Sequence, residues 1–86
     1  MRHAGPEALD SIEDLLTEVR QYPALRERKR GVFYRGSSAF LHFHEDQKGM
    51  FADLKLGDRF TRFHVSDANG RREFLAALAI SAGASD

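Results

Sequence analysis

The chain contains no cysteine, and its 13 basic residues are balanced by 13 acidic residues. The absence of cysteine excludes disulfide bonds, thiolate nucleophiles and cysteine-based zinc sites, and it fits a reducing cytoplasm. A net charge of zero provides no overall field that would attract nucleic acid, so a nucleic-acid partner would need a local basic patch. These features favour a cytoplasmic domain for which nucleic acid is an unexpected partner.

Long apolar segments are also missing. The longest apolar run, Phe74 to Ile80, is far shorter than the roughly 20 residues that cross a bilayer. The first ten residues lack the apolar stretch of a signal peptide. With 86 residues, of which 42% are hydrophobic, the chain can form one domain with a modest core. We therefore expect a single domain over residues 1–82, a flexible tail at 83–86 and no membrane partner.

Helical periodicity is present at both ends of the chain. A first helix is predicted over 6–22 and should end before Pro23, with an apolar stripe formed by Leu9, Ile12, Leu15, Leu16 and Val19. A second helix is predicted to begin within 66–69, capped by Asp67 or Asn69. Its apolar stripe comprises Phe74, Leu75, Leu78 and Ala82.

Between the helices the hydrophobic pattern changes to a period of two, which is typical of strands. Four strands are predicted, at 31–35, 38–44, 49–56 and 59–65. The short junctions between them favour hairpins and hence an antiparallel meander. The predicted fold is a two-layer α+β domain in which an N-terminal and a C-terminal helix pack on one face of a four-stranded sheet.

Short turns predict that Val32 lies opposite Leu41 and that Phe43 lies opposite Met50. This register gathers apolar residues on one face, namely Val32, Tyr34, Ala39, Leu41, Phe43, Met50, Ala52, Leu54, Phe63 and Val65. The helices are expected to cover that face.

The second face of the predicted sheet mixes aromatic, imidazole and charged side chains. It carries Phe33, Arg35, Phe40, His42, His44, Phe51, Asp53, Lys55, Phe60, Arg62 and His64. Asp53 is predicted opposite Arg62, as a cross-strand ion pair. Aromatic surfaces with a polar rim usually mark contact sites, and two copies of one face can pack across a two-fold axis.

The leading hypothesis is therefore a binding or assembly module, forming a homodimer through this face. The predicted contact residues are Phe33, Phe40, His42, His44, Phe51, Asp53, Arg62 and His64.

The segment FLHFHED offers an alternative interpretation. His42 and His44 are two residues apart on one strand and share a face, so both could reach one metal ion, with Glu45 or Asp46 adding an oxygen ligand. Together with Asp53 these residues could form a metal- or small-ligand-binding site, or a weak enzyme. No motif that activates a nucleophile and no glycine-rich phosphate loop occurs, so we expect no catalytic residue and no cofactor.

Four of the five residues from Arg26 to Arg30 are basic. Such a run is typical of a solvated connection between a helix and a sheet. Its alternative role is contact with nucleic acid, through Arg26, Arg28, Lys29 and Arg30.

The stretch SSAFLHFHEDQKGMFADLKL resembles the small bacterial domain labelled "luciferase-like", whose signature is a hairpin of the form FAHxHxDG…xDVRL. The matching residues are Phe40, His42, His44, Asp46, Gly49, Asp53 and Leu54. The resemblance implies a small domain built on this hairpin, and it implies no light-producing chemistry and no catalytic residues. The segment KGMFA at 48–52 is similar to the GKxFA hairpin of the YjbR-type fold, for which DNA binding is suggested, but here lysine and glycine are transposed.

Overall fold

A computed structural model describes residues 1–83 of the chain. Its elements, in chain order, are β1 (Arg2–His3), α1 (Pro6–Ser11), α2 (Glu13–Val19), β2 (Arg26–Lys29), β3 (Val32–Arg35), β4 (Ser38–Asp46), β5 (Gly49–Leu56), β6 (Arg59–His64) and α3 (Ala68–Gly83). The predicted α+β class with helices at both ends is confirmed. No helix within these residues is long and apolar enough to cross a membrane.

The sheet is antiparallel and has six strands rather than the predicted four. β3 to β6 follow one another as hairpins, as the meander predicted, and β2 adds an edge strand beside β3. β1 pairs with residues 44–45 of β4, along the edge where β3 pairs with residues 38–42. The N-terminal segment thus prolongs the sheet beyond the end of β3.

The predicted N-terminal helix is divided in two at Ile12. The Ile12 backbone leaves the helical region, with φ −120° and ψ 25°, while its side chain is buried in the core. The Ser11 hydroxyl donates a hydrogen bond of 2.6 Å to the Ala8 carbonyl oxygen, and such side-chain bonding competes with the helical ladder. A helical period in the sequence does not reveal this break, because Leu9, Ile12 and Leu16 stay on the buried side.

The basic segment 26–30 was predicted to be a connection, but its first four residues form strand β2. A two-residue turn at Arg30 and Gly31 joins β2 to β3, and Gly31 has a φ of 80°, which favours glycine. The Glu27 carboxylate accepts a hydrogen bond of 3.0 Å from the Gly31 backbone N–H and so supports the turn.

A β-bulge between β3 and β4 changes which residues face the core. Tyr34 lies opposite Ala39, but Val32 lies opposite His42 instead of the predicted Leu41. As a result Phe33 and Phe40, which were predicted for the second face, are buried at 1% and 6% exposure. The extra residue of a bulge reverses the alternation, and a strict period of two cannot anticipate it.

The hairpin of β4 and β5 is tighter than predicted. Its turn contains two residues, Gln47 and Lys48, so that Phe43 lies opposite Ala52 rather than Met50. The slip is two residues, and every side chain therefore keeps its predicted face. The register of β5 and β6 is confirmed, including Asp53 opposite Arg62.

One hydrophobic core fills the space between the sheet and the helices. It combines buried side chains of all three helices with those of the sheet, including Leu15, Leu16, Phe43, Leu54, Phe74 and Leu78. Asp67 caps α3 by accepting a hydrogen bond from the Gly70 N–H at 2.6 Å, as predicted. Gly83, predicted to begin the flexible tail, instead ends α3, and residues 84–86 lie outside the described part of the chain.

Candidate functional site

The helices contribute to the core on one side of the sheet only, which leaves its other side as the open face. Its side chains follow from the pairing register and belong to His3, Arg26, Arg28, Val32, Tyr34, His42, His44, Asp46, Phe51, Asp53, Lys55, Phe60, Arg62 and His64. Three predicted residues are not part of this face. Phe33 and Phe40 are buried in the core. Arg35 lies on the helix side, where it donates a hydrogen bond of 2.5 Å to the Ser81 carbonyl oxygen of α3.

An ion pair between Asp53 and Arg62 occupies the centre of the open face. The guanidinium donates two hydrogen bonds to the two carboxylate oxygens, at 2.7 and 2.8 Å. The Asp53 side chain is 12% exposed and that of Arg62 is 51% exposed. Arg62 lowers the pKa of the Asp53 carboxyl, which is therefore ionised at neutral pH.

Three histidines form a cluster beside this pair. The imidazole centroids of His3 and His44 are 4.6 Å apart, and those of His42 and His44 are 5.9 Å apart. His44 Nδ1 is 3.1 Å from an Asp53 carboxylate oxygen. His3 was missed by the sequence analysis, because strand β1 is only two residues long and shows no periodicity. His64, predicted for the same face, is two strands from His42 and outside this cluster.

The two strand histidines of the cluster make the stability of the fold depend on pH. Burial lowers the pKa of His44, and burial followed by the nearby His3 lowers the pKa of His42. The unfolded chain therefore binds protons at a higher pH than the folded chain does, since a free imidazole titrates near ~6.5. We expect the free energy of unfolding to be full above about pH 7 and to fall as the pH drops through about 6.

Urea denaturation at a series of pH values between about 8 and 5 measures this dependence. The double variant His42→Gln, His44→Gln should flatten the curve in that range. A wild-type stability that stays constant or rises on acidification would contradict the prediction. The Asp53 carboxyl, whose pKa is lowered, contributes only in a separate window near and below about pH 4.

Aromatic rings on the open face pair with polar neighbours. The Phe60 ring stacks on His42 with centroids 4.9 Å apart, and the Phe51 ring stacks on His64 at 4.7 Å. Phe60 is 45% exposed, the highest value among the large apolar side chains of the sheet. At the other edge the Arg28 guanidinium lies 4.5 Å above the Tyr34 ring.

The metal hypothesis joined His42, His44 and Asp46, but in the structure the Asp46 carboxylate bonds to the hairpin backbone. Asp46 ends β4 and accepts a hydrogen bond of 2.7 Å from the Lys48 backbone N–H, which stabilises the hairpin turn. Within residues 1–83 no three histidine, aspartate or glutamate side chains are arranged to hold a metal ion. The metal site remains a prediction of the sequence.

The predicted nucleic-acid residues divide between the two sides of the sheet. Arg26 and Arg28 lie on the open face and line a hollow of about 520 Å³ together with Pro23, Ala24, Leu25 and Gly36. Arg30 lies on the helix side, where it forms ion pairs with Asp10 at 2.9 Å and Glu13 at 2.8 Å. Lys29 is exposed at the irregularity between β2 and β3.

Comparison with known proteins adds no family to this picture. No protein-family model matches the chain, and neither a curated protein nor a solved structure matches it. The resemblances to the luciferase-like and YjbR-type domains remain predictions.

Proposed function

We propose that this protein is a non-catalytic binding module and that its open face receives an anionic partner. The observation that carries the proposal is the segregation of charge between the two sides of the sheet. Overall neutrality hides this segregation, because α1 and α2 carry acidic residues without a basic one, whereas basic side chains on the open face outnumber its carboxylates.

The helices α1 and α2 are acidic and contain no basic residue. α1 and α2 carry five exposed carboxylates, from Glu7, Asp10, Glu13, Asp14 and Glu18. Arg20 forms an ion pair with Glu13 at 2.6 Å, and Arg71 forms one with Asp14 at 2.8 Å. The carboxylates of α1 and α2 therefore neutralise the nearby Arg20 and Arg71 and make this part of the helix side unfavourable for an anion.

The open face has the opposite character. Within the part of the chain that the structure describes, Arg26, Arg28 and Lys55 form no ion pair. Its carboxylates are those of Asp46 and Asp53, and the latter is bound by Arg62. A positive surface on a neutral chain can attract a polyanion locally and orient it toward this side.

The predicted homodimer would place two such faces against each other. Facing copies would bring the unpaired cations of both copies together, so charge favours an anionic partner over a second copy.

Fluorescence anisotropy with labelled heparin tests the proposal with a polyanion that contains no bases. We expect saturable binding at low salt that weakens as salt is added, because counterions are released. The double variant Arg26→Glu, Arg28→Glu should lose at least about tenfold in affinity, because two cations that contact the polyanion are replaced by anions. Its binding should also depend less steeply on salt.

The matched control is Arg72→Glu, which reverses an exposed charge on α3, on the helix side of the sheet. It should bind heparin like the wild type. Absence of heparin binding at low salt, or an equal loss in the control, would contradict the proposal. If the double variant unfolds, the milder pair Arg26→Gln, Arg28→Gln serves the same purpose.

A further inference from the structure

We infer that the anionic partner of the open face is a single-stranded nucleic acid. This inference rests on the proposed function and adds the chemistry of the partner. It is based on the alternation of aromatic rings with cations across the face, which a partner with phosphates alone would leave unused.

The pairing register arranges the open face in rows that cross the strands. At one edge of the face Arg26 lies opposite Tyr34, and at the other edge Lys55 lies opposite Phe60. A further row joins His3, His44, Phe51 and His64, and the row of His42, Asp53 and Arg62 lies between it and Lys55. Each edge therefore places an aromatic ring next to a cation, as binding of bases and phosphates requires.

The exposed ring of Phe60 is the first candidate for stacking on a base. It is 45% exposed while it stacks on His42 on one side, so part of the ring remains accessible. Lys55 lies directly opposite Phe60 on β5 and is close enough to contact the phosphate next to a stacked base. Base stacking on aromatic side chains tolerates any sequence, because every base has a π face.

A single strand fits this surface better than a duplex does. Bases in a duplex are already stacked, and reading them requires a helix or ribbon that enters a groove. The open face is a sheet surface whose edges are strands β2 and β6. Its width of roughly 19 Å suits about four nucleotides, the lower end of the site sizes of small single-strand-binding domains.

The experiment compares labelled oligo(dT) and oligo(rU) of about twelve nucleotides with a duplex of equal length and with heparin. We expect dissociation constants on the order of 10⁻⁵ M for the single strands at moderate salt, with a salt slope near −2 for about three phosphate contacts. The duplex should bind about tenfold more weakly than the single strands.

Phe60→Ala should weaken single-strand binding about tenfold, the size of one lost stack, and leave heparin binding unchanged. Its matched control is Ile80→Ala, which truncates an apolar side chain of α3 that is 75% exposed. Ile80→Ala should change neither interaction.

The outcomes separate the inference from the proposed function. Heparin binding without a preference for single strands, or without an effect of Phe60→Ala, overturns the inference and leaves the proposed function standing. Absence of both interactions overturns both. Sedimentation of the same samples identifies a third result: a dimer that Phe60→Asp dissociates, with no polyanion bound, would make a second copy the partner and overturn the inference.

Discussion

Replacing Phe33 with alanine is expected to lower the free energy of unfolding by about 3–5 kcal/mol, which is the usual cost of truncating a buried phenylalanine. Phe33 is 1% exposed and belongs to the hydrophobic core, although a strict strand period assigns it to the open face. The substitution removes its contacts in the core and leaves a cavity that the surrounding side chains fill only in part. Urea or guanidinium denaturation measures the change.

Phe60→Ala is the matched control, because it makes the same substitution on the side of the sheet away from the helices. Phe60 is 45% exposed, so its truncation should cost less than about 1 kcal/mol. Equal costs at the two positions would contradict the bulged register between β3 and β4. If Phe33→Ala is unfolded at room temperature, Phe33→Leu retains most of the buried volume and keeps the comparison measurable.

The comparison of Phe33 with Phe60 shows what the sequence could predict. Alternation of apolar and polar residues correctly predicted strands β3 to β6, the α+β class and the facing of His42, Asp53 and Arg62, but it missed β1 and β2. Those predictions depend only on whether a residue is at an odd or an even position of its strand. The two-residue slip at the hairpin of β4 and β5 leaves every side chain on its predicted face. A bulge does change the face, and it is set by tertiary packing and has no signal in the local pattern.

Two parts of the candidate site could not be predicted from strand periodicity. His3 reaches the histidine cluster through a strand of two residues, paired to β4 by contacts distant in the sequence. Arg26 and Arg28 belong to a segment whose composition is typical of a loop. The tight turn at Gly31 nevertheless lets this segment pair with β3 as a strand of the sheet. A glycine directly after a basic run was the available signal, since a positive φ at that point permits a hairpin.

The division of the segment 26–30 also shows that overall charge does not describe the two sides of the sheet. Alternate residues of β2 face opposite sides of the sheet, so Glu27 forms an ion pair at 2.7 Å with Arg20, the C-cap of α2, while Arg26 and Arg28 face away from the helices. The carboxylates of α1 and α2 have no basic residue within those helices, whereas basic side chains outnumber carboxylates on the open face. A chain with a net charge of zero thereby distributes its charge unevenly between the two sides of the sheet.

The Asp53→Asn variant is expected to be less stable than the wild type and to bind polyanions more tightly. Asparagine cannot accept two hydrogen bonds from the Arg62 guanidinium through two carboxylate oxygens, so the charge-assisted pair at 2.7 and 2.8 Å is lost. Arg62 is half exposed, and water compensates part of the loss, so we expect a decrease of about 1–2 kcal/mol in the free energy of unfolding. The same change frees the Arg62 guanidinium for a phosphate or sulfate group.

Denaturation and heparin anisotropy on one preparation measure both effects. Asp46→Asn is the matched control, because it also removes a negative charge from the open face while its amide oxygen can still accept the hydrogen bond from Lys48 N–H. The control should bind heparin more tightly at little cost in stability. An Asp53→Asn protein that loses stability without binding more tightly would show that the ion pair is only structural, and it would count against the open face as a polyanion site. Opposite shifts in stability and affinity would mean that Asp53 stabilises the fold at the expense of binding.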